Sequence, residues 1–438
     1  MLTRIDRSRD GLAADAALYL LSAAFALVTG LSSTLLPHRG WGLIAVWGYL
    51  AAFIAVAAGL IRTGRPVKQT HDPATPASGR ATSASDPAAA RSRLVPARMA
   101  LTWIAWAATA LLPLVIEAVQ RAGGRTDRAQ DEVLVVEQMG ERLLHTGTPY
   151  VGPAAITALP PGARLGAYAP YQPGMALFGL PRALAGAAWW TDARVWFAVV
   201  TLAALVMAVR TLGVTPASVR ALQAATVFPI CALTLATGGD DLPVLAWCLL
   251  ALACCAAGRF GFAGLAVGAA ASAKLFAFPV VAVLAVLAVV SGRGRRFLPG
   301  AIGLPILVLI SPLLVDARAL VENVVRFPLG HGLVQSPAQS PFPGYLIATW
   351  LPAGRYLAAG LLAAVALALA VVLLRRPPRS ARSAALFCGY GLLGAILLMP
   401  SARFGYLLYP IAVLVWSPAA EVPVKSPNPG RDPTLYRV

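Results

Sequence analysis

The stretch GRYLAAGLLAAVALALAVVLL, from Gly354 to Leu374, decides the fold of this 438-residue chain. After its second residue it carries no charge, and about 20 successive apolar residues are what a helix needs to cross the hydrocarbon core of a membrane. Similar runs recur along the sequence, of which 58% is hydrophobic and only 12% is charged. Because soluble domains carry about twice that charged fraction, the composition excludes an ordinary water-soluble globule and indicates a membrane protein.

Twelve apolar runs follow one another along the chain, separated by charged residues. Inside a membrane each run must satisfy its own backbone hydrogen bonds, which requires a helix. We therefore predict an all-α, polytopic integral membrane protein with about twelve transmembrane helices. The first run lacks a small-residue cleavage site after it, so we expect a retained helix rather than a signal peptide. The runs lie near residues 14–36, 41–61, 98–118, 193–213, 219–236, 241–258, 261–275, 276–292, 298–315, 354–374, 384–399 and 404–418.

The charged residues divide between the two sides of the predicted membrane. The chain has 36 basic and 18 acidic residues, a net charge of +18, and the arginines fall in the two terminal segments and in alternate loops. Because cytoplasmic loops attract Lys and Arg, we expect cytoplasmic N and C termini for a multi-pass protein of the cell membrane. Most acidic residues fall in the opposite, outer loops. This pattern reflects membrane topology, so no nucleic-acid partner is expected.

Composition also divides the chain into four parts. One segment is rich in Pro, Ala, Ser and Arg without apolar periodicity, and it cannot bury enough surface to fold alone. Two outer loops are long, and such loops are usually functional or disordered. The parts are an N-terminal transmembrane helix pair (1–62), a disordered basic cytoplasmic linker (63–97), a membrane body (98–418) with outer loops 119–192 and 316–353, and a cytoplasmic tail (419–438).

The sequence lacks the patterns of common cofactor sites. Its five cysteines all lie in apolar runs and do not have the paired spacing of a metal site. It has no Walker loop, no dinucleotide fingerprint and no Ser/His/Asp elbow. We therefore expect structural cysteines, no metal centre and no cofactor.

The first outer loop contains TDRAQDEVLVVEQMGERLLHTGTPY, from Thr126 to Tyr150. Its apolar residues recur at intervals of three and four, which predicts an amphipathic helix lying in the membrane interface. Asp131 stands at the start of this helix, where a carboxylate can cap free backbone N–H groups. It could also act as a chemical base, and Asp127 is the rival carboxylate four residues earlier.

Two further motifs offer aromatic and acidic side chains. In YAPYQPG, from Tyr168 to Gly174, the prolines prevent a regular helix, and Tyr168 and Tyr171 provide flat amphipathic faces suited to sugar rings or lipid headgroups. In TGGDDLP, Asp240 and Asp241 stand between two predicted spans. Acids near a membrane are costly unless they are used, although a plain polar loop is the simpler explanation.

Two cations could bind an anionic substrate. Lys274, in AASAKLFAFP, lies within a predicted span. An ammonium group there either pairs with an anion such as phosphate or extends along its side chain to the membrane surface. Arg403, in PSARFGYLLYP, lies at the outer end of the last span beside Tyr406 and could supply a second phosphate contact. His331 is the histidine of the second outer loop, where a structural or solvated role is the alternative.

Outer carboxylates, flat aromatics and cations at the membrane edge suit an anionic, lipid-linked substrate. An enzyme using such a donor would place a carboxylate near the acceptor hydroxyl and cations near the leaving phosphate.

The order of the motifs resembles that of the polytopic C-type glycosyltransferases, and in particular the glycosyltransferase 87 family of polyprenyl-phosphate-mannose-dependent α-mannosyltransferases in actinobacteria. The resemblance covers about residues 98–418. It rests on a helix that begins at Asp131 and leads to GTPY, a Y-x-P-Y-x-P element, GGDD, AAASAKLFAFP and RFGYLLYP.

This resemblance implies a C-type glycosyltransferase architecture with interfacial helices in the first outer loop. The protein would transfer a hexose from a polyprenyl-phosphate sugar to a lipid or glycan acceptor on the outer face, with inversion. Mannose is the hexose that the resemblance favours. Asp131 would be the general base, with Asp127 and His331 as alternatives, and Lys274 and Arg403 would stabilise the departing phosphate. The expected substrate-binding residues are Tyr150, Tyr168, Tyr171, Asp240, Asp241 and Tyr406.

Some features leave room for other interpretations. The part of the chain that resembles the family does not require the N-terminal helix pair or the linker. In the family a Y-P-P run is more usual than Y-x-P-Y-x-P. These two differences concern the identity of the acceptor more than the class of reaction. Many helices with polar groups also describe a transporter or a lipid-carrier flippase. Against that class, no repeat relates the two halves of the chain and the acids gather on one face. A third alternative is an inactive glycosyltransferase-like scaffold.

Overall fold

The computed structural model describes residues 11–64 and 87–421. Within these two ranges the chain forms α-helices joined by short 3₁₀ and π segments, and no β-strand is present. The predicted all-α fold is confirmed. The N-terminal segment before Gly11, most of the predicted linker (65–86) and most of the predicted tail (422–438) lie outside the described residues.

The N-terminal part forms two helices and a third that continues through a π-helical turn. Its bounds are α1 (Leu12–Ser32), α2 (Leu36–Gly64), α3 (Pro87–Trp106), the π turn Ala107–Leu111 and α4 (Leu112–Ala122). Helix α3 therefore begins within the range predicted as linker. The π turn inserts an extra residue into the helical ladder and joins α3 to α4 as one apolar element.

The first outer loop contains short helices, α5 (Asp131–Thr146), α6 (Pro153–Ala158) and α7 (Leu180–Ala185). Helix α5 is the amphipathic helix predicted from sequence: it buries Val133, Val136 and Met139 against the body. It ends at Gly147, whose φ of 75° lies in the left-handed region that glycine adopts at helix ends.

The remaining helices form the membrane body. Helix α14 breaks at Asp316, where the side-chain Oδ1 accepts a hydrogen bond from the Ala319 N–H at 2.9 Å and so caps the second half. The bounds are α8 (Ala193–Leu212), α9 (Pro216–Ala225), α10 (Pro229–Thr237), α11 (Asp241–Ala256), α12 (Phe260–Ala273), α13 (Phe278–Val290), α14 (Gly294–Val321), α15 (Pro343–Trp350), α16 (Gly354–Arg375), α17 (Ala381–Leu398) and α18 (Leu408–Trp416).

All twelve predicted runs fall on helices, but twelve membrane crossings are not confirmed. Within the described ranges, 7 helices are long and apolar enough to cross a membrane, or 8 if α9 and α10, bent by 44°, form one span. The other apolar helices are shorter. Helix α11 has 16 residues, about 24 Å of helix against a hydrocarbon core of about 30 Å.

The N-terminal helix pair packs directly on the body. Asp15 of α1 is buried and forms a salt bridge with Arg98 of α3 at 2.6 Å. The Trp41 indole N–H donates to the Thr109 carbonyl, and the Tyr49 hydroxyl donates to the Val227 carbonyl, both at 2.7 Å. These buried contacts fix α1 against α3, and fix α2 against the π turn and the segment between α9 and α10.

Three breaks between helices meet on one side of the body. The first, before α11, contains Gly239 with φ of 86°, which favours glycine. The second lies at Lys274, whose backbone is extended (φ −145°, ψ 146°) between α12 and α13. The third runs from Met399 to Arg403, before α18. Irregular backbone at membrane depth is tolerated where it lines a cavity, and these breaks do so.

Candidate active site

A cavity of about 1270 Å³ lies where the three breaks meet. It has a polar centre and apolar walls, a combination typical of a site for an amphiphilic molecule. Eight of the eleven residues selected from the sequence line this cavity. Those at the wall are Asp131, Tyr168, Tyr171, Asp240, Asp241, Lys274, Arg403 and Tyr406.

Asp131 is the first residue of α5 and its carboxylate is exposed to the cavity. It forms no hydrogen bond or ion pair with any residue that the structure describes. The N-cap position belongs to Gln130, and neither side chain makes a capping hydrogen bond. Capping therefore does not occupy the Asp131 carboxylate, which stays open to the cavity.

Glu132, the next residue of α5, forms an ion pair with Arg403 from the turn before α18. Sequence reasoning did not select Glu132. The Arg403 side chain is 41% exposed and the Glu132 side chain 17% exposed. A guanidinium group has five N–H donors, so one carboxylate leaves several of them for a second anion in the cavity.

Lys274 lies between two carboxylates. Its Nζ is 2.7 Å from Asp240 and 2.5 Å from Asp241, and the side chain is only 8% exposed. The Tyr409 hydroxyl donates to Asp241 at 2.8 Å, and the Lys274 ammonium lies 5.1 Å from the centre of the Tyr171 ring. The ammonium is thus paired with two carboxylates, which leaves less of this lysine for a phosphate than the sequence suggested.

The tyrosines have different surroundings. The Tyr168 hydroxyl donates to Glu322 at 2.7 Å and its ring stacks on Phe327 at 4.2 Å. Burial, and then the hydrogen bond to Glu322, raise the pKa of Tyr168 to about 12, so it stays protonated at neutral pH. The Tyr150 hydroxyl donates to the Tyr171 carbonyl at 2.7 Å. Through this hydrogen bond Tyr150 supports the backbone at Tyr171. Tyr150 is not among the described residues that line the cavity.

The two alternative bases lie elsewhere. Asp127 pairs with Arg125 at 3.6 Å and with Arg128 at 3.9 Å, and its side chain is 40% exposed. His331 is exposed in the second outer loop. Among the described residues at the cavity wall, neither of the two is present.

His38 and Gln130 also line the cavity, although sequence reasoning missed both. Gln130 Nε2 lies 2.6 Å from His38 Nε2, and the Gln130 N–H donates to the Thr237 carbonyl at 3.0 Å. His38 lies in the first turn of α2, at a position between the first two apolar runs of the sequence. That position falls on the same predicted side as Asp131, and this was the signal that could have found it.

A buried ion network attaches α5 to the body. Arg121 of α4 bridges Glu137 of α5 at 2.6 Å and Asp192 at 2.9 Å. Arg194 of α8 pairs with the same Asp192 at 2.9 Å and with Glu117 at 3.1 Å. Burial alone would raise the pKa of Asp192, but the two guanidinium groups outweigh it and hold that pKa at about 2. The network therefore keeps α5, and Asp131 with it, in a fixed position.

The turn that carries Arg403 is joined to the second outer loop. Gln339 and Ala402 form a parallel bridge, and the Ser340 N–H donates to the Ala402 carbonyl at 2.9 Å. The Ser401 hydroxyl donates to the Ala338 carbonyl at 2.8 Å. These bonds give the Arg403 turn a defined conformation.

A resident metal would need a cluster of suitable ligands. Among the described residues, no group of three or more His, Cys, Asp or Glu could hold a metal ion. The carboxylates of Asp240 and Asp241 are directed to Lys274 instead.

The helices and the amphiphilic cavity define a multi-pass, α-helical membrane protein with an enzyme-like site. The family model described as glycosyltransferase family 87 matches residues 168–401, which is more than half of the 438 residues. The chain belongs to glycosyltransferase family 87 and is a membrane glycosyltransferase. Comparisons with curated proteins and with solved structures found no match. The family favours an enzyme over the transporter alternative.

Proposed function

We propose that the protein transfers a hexose from a polyprenyl-phosphate sugar to a hydroxyl of a lipid or glycan acceptor, with inversion at the anomeric carbon. The hexose that we propose is mannose. One observation carries this proposal. A cavity with apolar walls brings Asp131, which has no ion pair among the described residues, together with Arg403. A base and a cation in one amphiphilic site are the two groups that this reaction needs.

In the proposed reaction the Asp131 carboxylate takes the proton of the acceptor hydroxyl as its oxygen attacks the anomeric carbon. The bond from that carbon to the phosphate oxygen breaks, and polyprenyl phosphate leaves with the electron pair. General-base catalysis of this kind contributes about 10²-fold to 10⁴-fold.

We assign Arg403 as the main ligand of the donor phosphate. It has donors left after its pairing with Glu132, and a guanidinium group suits the planar edge of a phosphate. Lys274 would act mainly by orienting Asp240 and Asp241, whose remaining lone pairs can accept hydrogen bonds from sugar hydroxyls. Tyr171 and Tyr406 would pack against the sugar face.

We further propose a location in the cell membrane, with cytoplasmic termini and the active site on the outer face. The support is the arginine-rich set of alternate loops, because basic loops are retained in the cytoplasm. The loops with Asp131 and Arg403 belong to the opposite set.

The experiment is transfer of radiolabelled mannose from polyprenyl-phosphate mannose to membrane lipids by the purified protein, with polyprenyl-phosphate glucose as the matched donor. Label incorporation from the mannose donor supports the proposal. Incorporation from the glucose donor alone would show that the transferred hexose is glucose and not mannose. No incorporation from either donor would favour an inactive scaffold and contradict the proposal.

A further inference from the structure

Three helices each present one face to the same part of the cavity. On each helix the lining residues are spaced by three, four and seven positions, which places them on a single side. The faces consist of Leu18, Leu21, Ser22 and Phe25 on α1, Ile230, Leu233, Thr234 and Thr237 on α10, and Asp131, Leu134, Val135 and Gln138 on α5. We call this surface the α1 groove.

The α1 groove has a polar end and an apolar end. Its polar end contains Asp131, Gln130 and His38, and Thr237 of α10 contacts Gln130 there. From that end the α10 face continues to Leu233 and Ile230. The α1 face runs from Phe25 to Leu18 over seven residues, about 10 Å of helix. A linear apolar chain therefore has a path that begins beside Asp131.

Helix α1 lies outside residues 168–401, the part of the chain that the family model matches. It is nevertheless held in place by the buried Asp15 to Arg98 salt bridge. Helix α1 is thus a fixed part of the cavity wall in this chain.

A second apolar surface lies near Arg403. It contains Phe276 from the break after α12, Leu392 of α17, Met399 from the break that follows α17, and Ile411 of α18. A donor whose phosphate binds Arg403 would leave its prenyl chain along this second surface. The α1 groove remains for the other substrate, whose hydroxyl must reach Asp131.

We propose that the α1 groove binds the hydrocarbon chain of a lipid-anchored acceptor. This inference rests on the proposed function and narrows its acceptor class from a lipid or glycan to a lipid-linked molecule. The N-terminal helix pair is then an acceptor-binding device.

The test uses methyl and dodecyl α-mannoside as competitors of label transfer from polyprenyl-phosphate mannose to membrane lipids. For the wild type we expect dodecyl mannoside to inhibit at a concentration at least about tenfold lower, because each buried CH₂ contributes to binding. Leu21→Trp and Leu233→Trp fill the groove and should remove that difference. Leu27→Trp is the matched control, because Leu27 lies on the opposite side of α1 and is not among the described residues that line the cavity.

The outcomes distinguish a failure of the α1 groove proposal from a failure of the proposed function. No transfer by the wild type contradicts the proposed function itself. Transfer with equal inhibition by both mannosides overturns the groove, and so does a chain-length effect that survives in both tryptophan variants. If Leu21→Trp instead raises the KM of the donor, the groove belongs to the donor chain and the proposal is wrong.

Discussion

Two sets of aspartates line the same cavity in opposite states. Asp131 is exposed and pairs with none of the described residues, whereas Asp240 and Asp241 are buried and both contact Lys274. Asp241 also accepts the Tyr409 hydroxyl at 2.8 Å. The same type of side chain is therefore open to the cavity in one place and held by a cation in another.

The difference follows from the local backbone. Asp131 begins a helix that lies at the cavity rim, so its carboxylate faces open space. Asp240 and Asp241 follow the left-handed turn at Gly239 and enter the body, where a buried carboxylate requires a cation. Lys274 supplies it from the next helix break. We therefore propose Asp131 as the reacting carboxylate and Asp240 and Asp241 as carboxylates held in place by Lys274. The predictions below test this difference.

The largest effect is expected for Asp131→Asn. The amide keeps the shape of the side chain but cannot accept the acceptor proton, so kcat should fall by about 10³-fold. The measurement is the initial rate of mannose transfer at saturating donor. Asp127→Asn, in the same loop, is the control and should keep the wild-type rate. Equal losses in the two variants would contradict the base assignment.

Lys274→Met should mainly reduce stability. It leaves Asp240 and Asp241 without their shared cation, and breaking a buried ion pair costs about 3–5 kcal/mol. We expect a lower thermal unfolding midpoint for the purified protein in detergent. The double variant Lys274→Met/Asp241→Asn removes one of the two charges and should recover part of the loss. An unchanged midpoint in the single variant would show that the pairing is not structural.

Arg403→Gln should raise the KM of the donor by about tenfold, because a charge-assisted hydrogen bond to phosphate contributes about 1.5–3 kcal/mol. The readout is KM for polyprenyl-phosphate mannose. Glu132→Gln provides the matched comparison, since it removes the carboxylate partner and leaves the arginine. A donor KM that does not change in Arg403→Gln would argue for another phosphate ligand.

The smallest effect is expected for His38→Ala. This change removes one hydrogen bond to Gln130, worth about 1 kcal/mol, so transfer should slow by about fivefold. We expect the donor KM to stay constant, because His38 lies at the Asp131 end of the cavity. A change in donor KM with constant kcat would place His38 on the donor side.

Sequence periodicity predicted the helices well because burial in lipid leaves few alternatives for an apolar run. It also identified Asp131, which the cavity exposes. The seventh and the last apolar runs are short already in the sequence, but hydropathy did not predict that α11 and α13 are also too short to cross a membrane. The bend between α9 and α10 and the break at Lys274 depend on turn geometry that hydropathy does not encode.

The ion pairs were beyond sequence reasoning for a different reason. Glu132 and Arg403 lie on separate elements far apart in the chain, and their pairing depends on how α5 packs. Lys274 was expected to bind phosphate because its two carboxylate partners could not be assigned without a fold. His38 was overlooked because it belongs to no motif, although its predicted side of the membrane is the same as that of Asp131.

The central claim is that Asp131 reacts while Asp240 is held by Lys274. The most direct test measures the donor Kd and the transfer rate in the same preparations of Asp131→Asn and Asp240→Asn. We predict that Asp131→Asn binds polyprenyl-phosphate mannose as tightly as the wild type without transferring its sugar, whereas Asp240→Asn keeps measurable transfer with weaker donor binding. Transfer by Asp131→Asn at the wild-type rate would contradict the account.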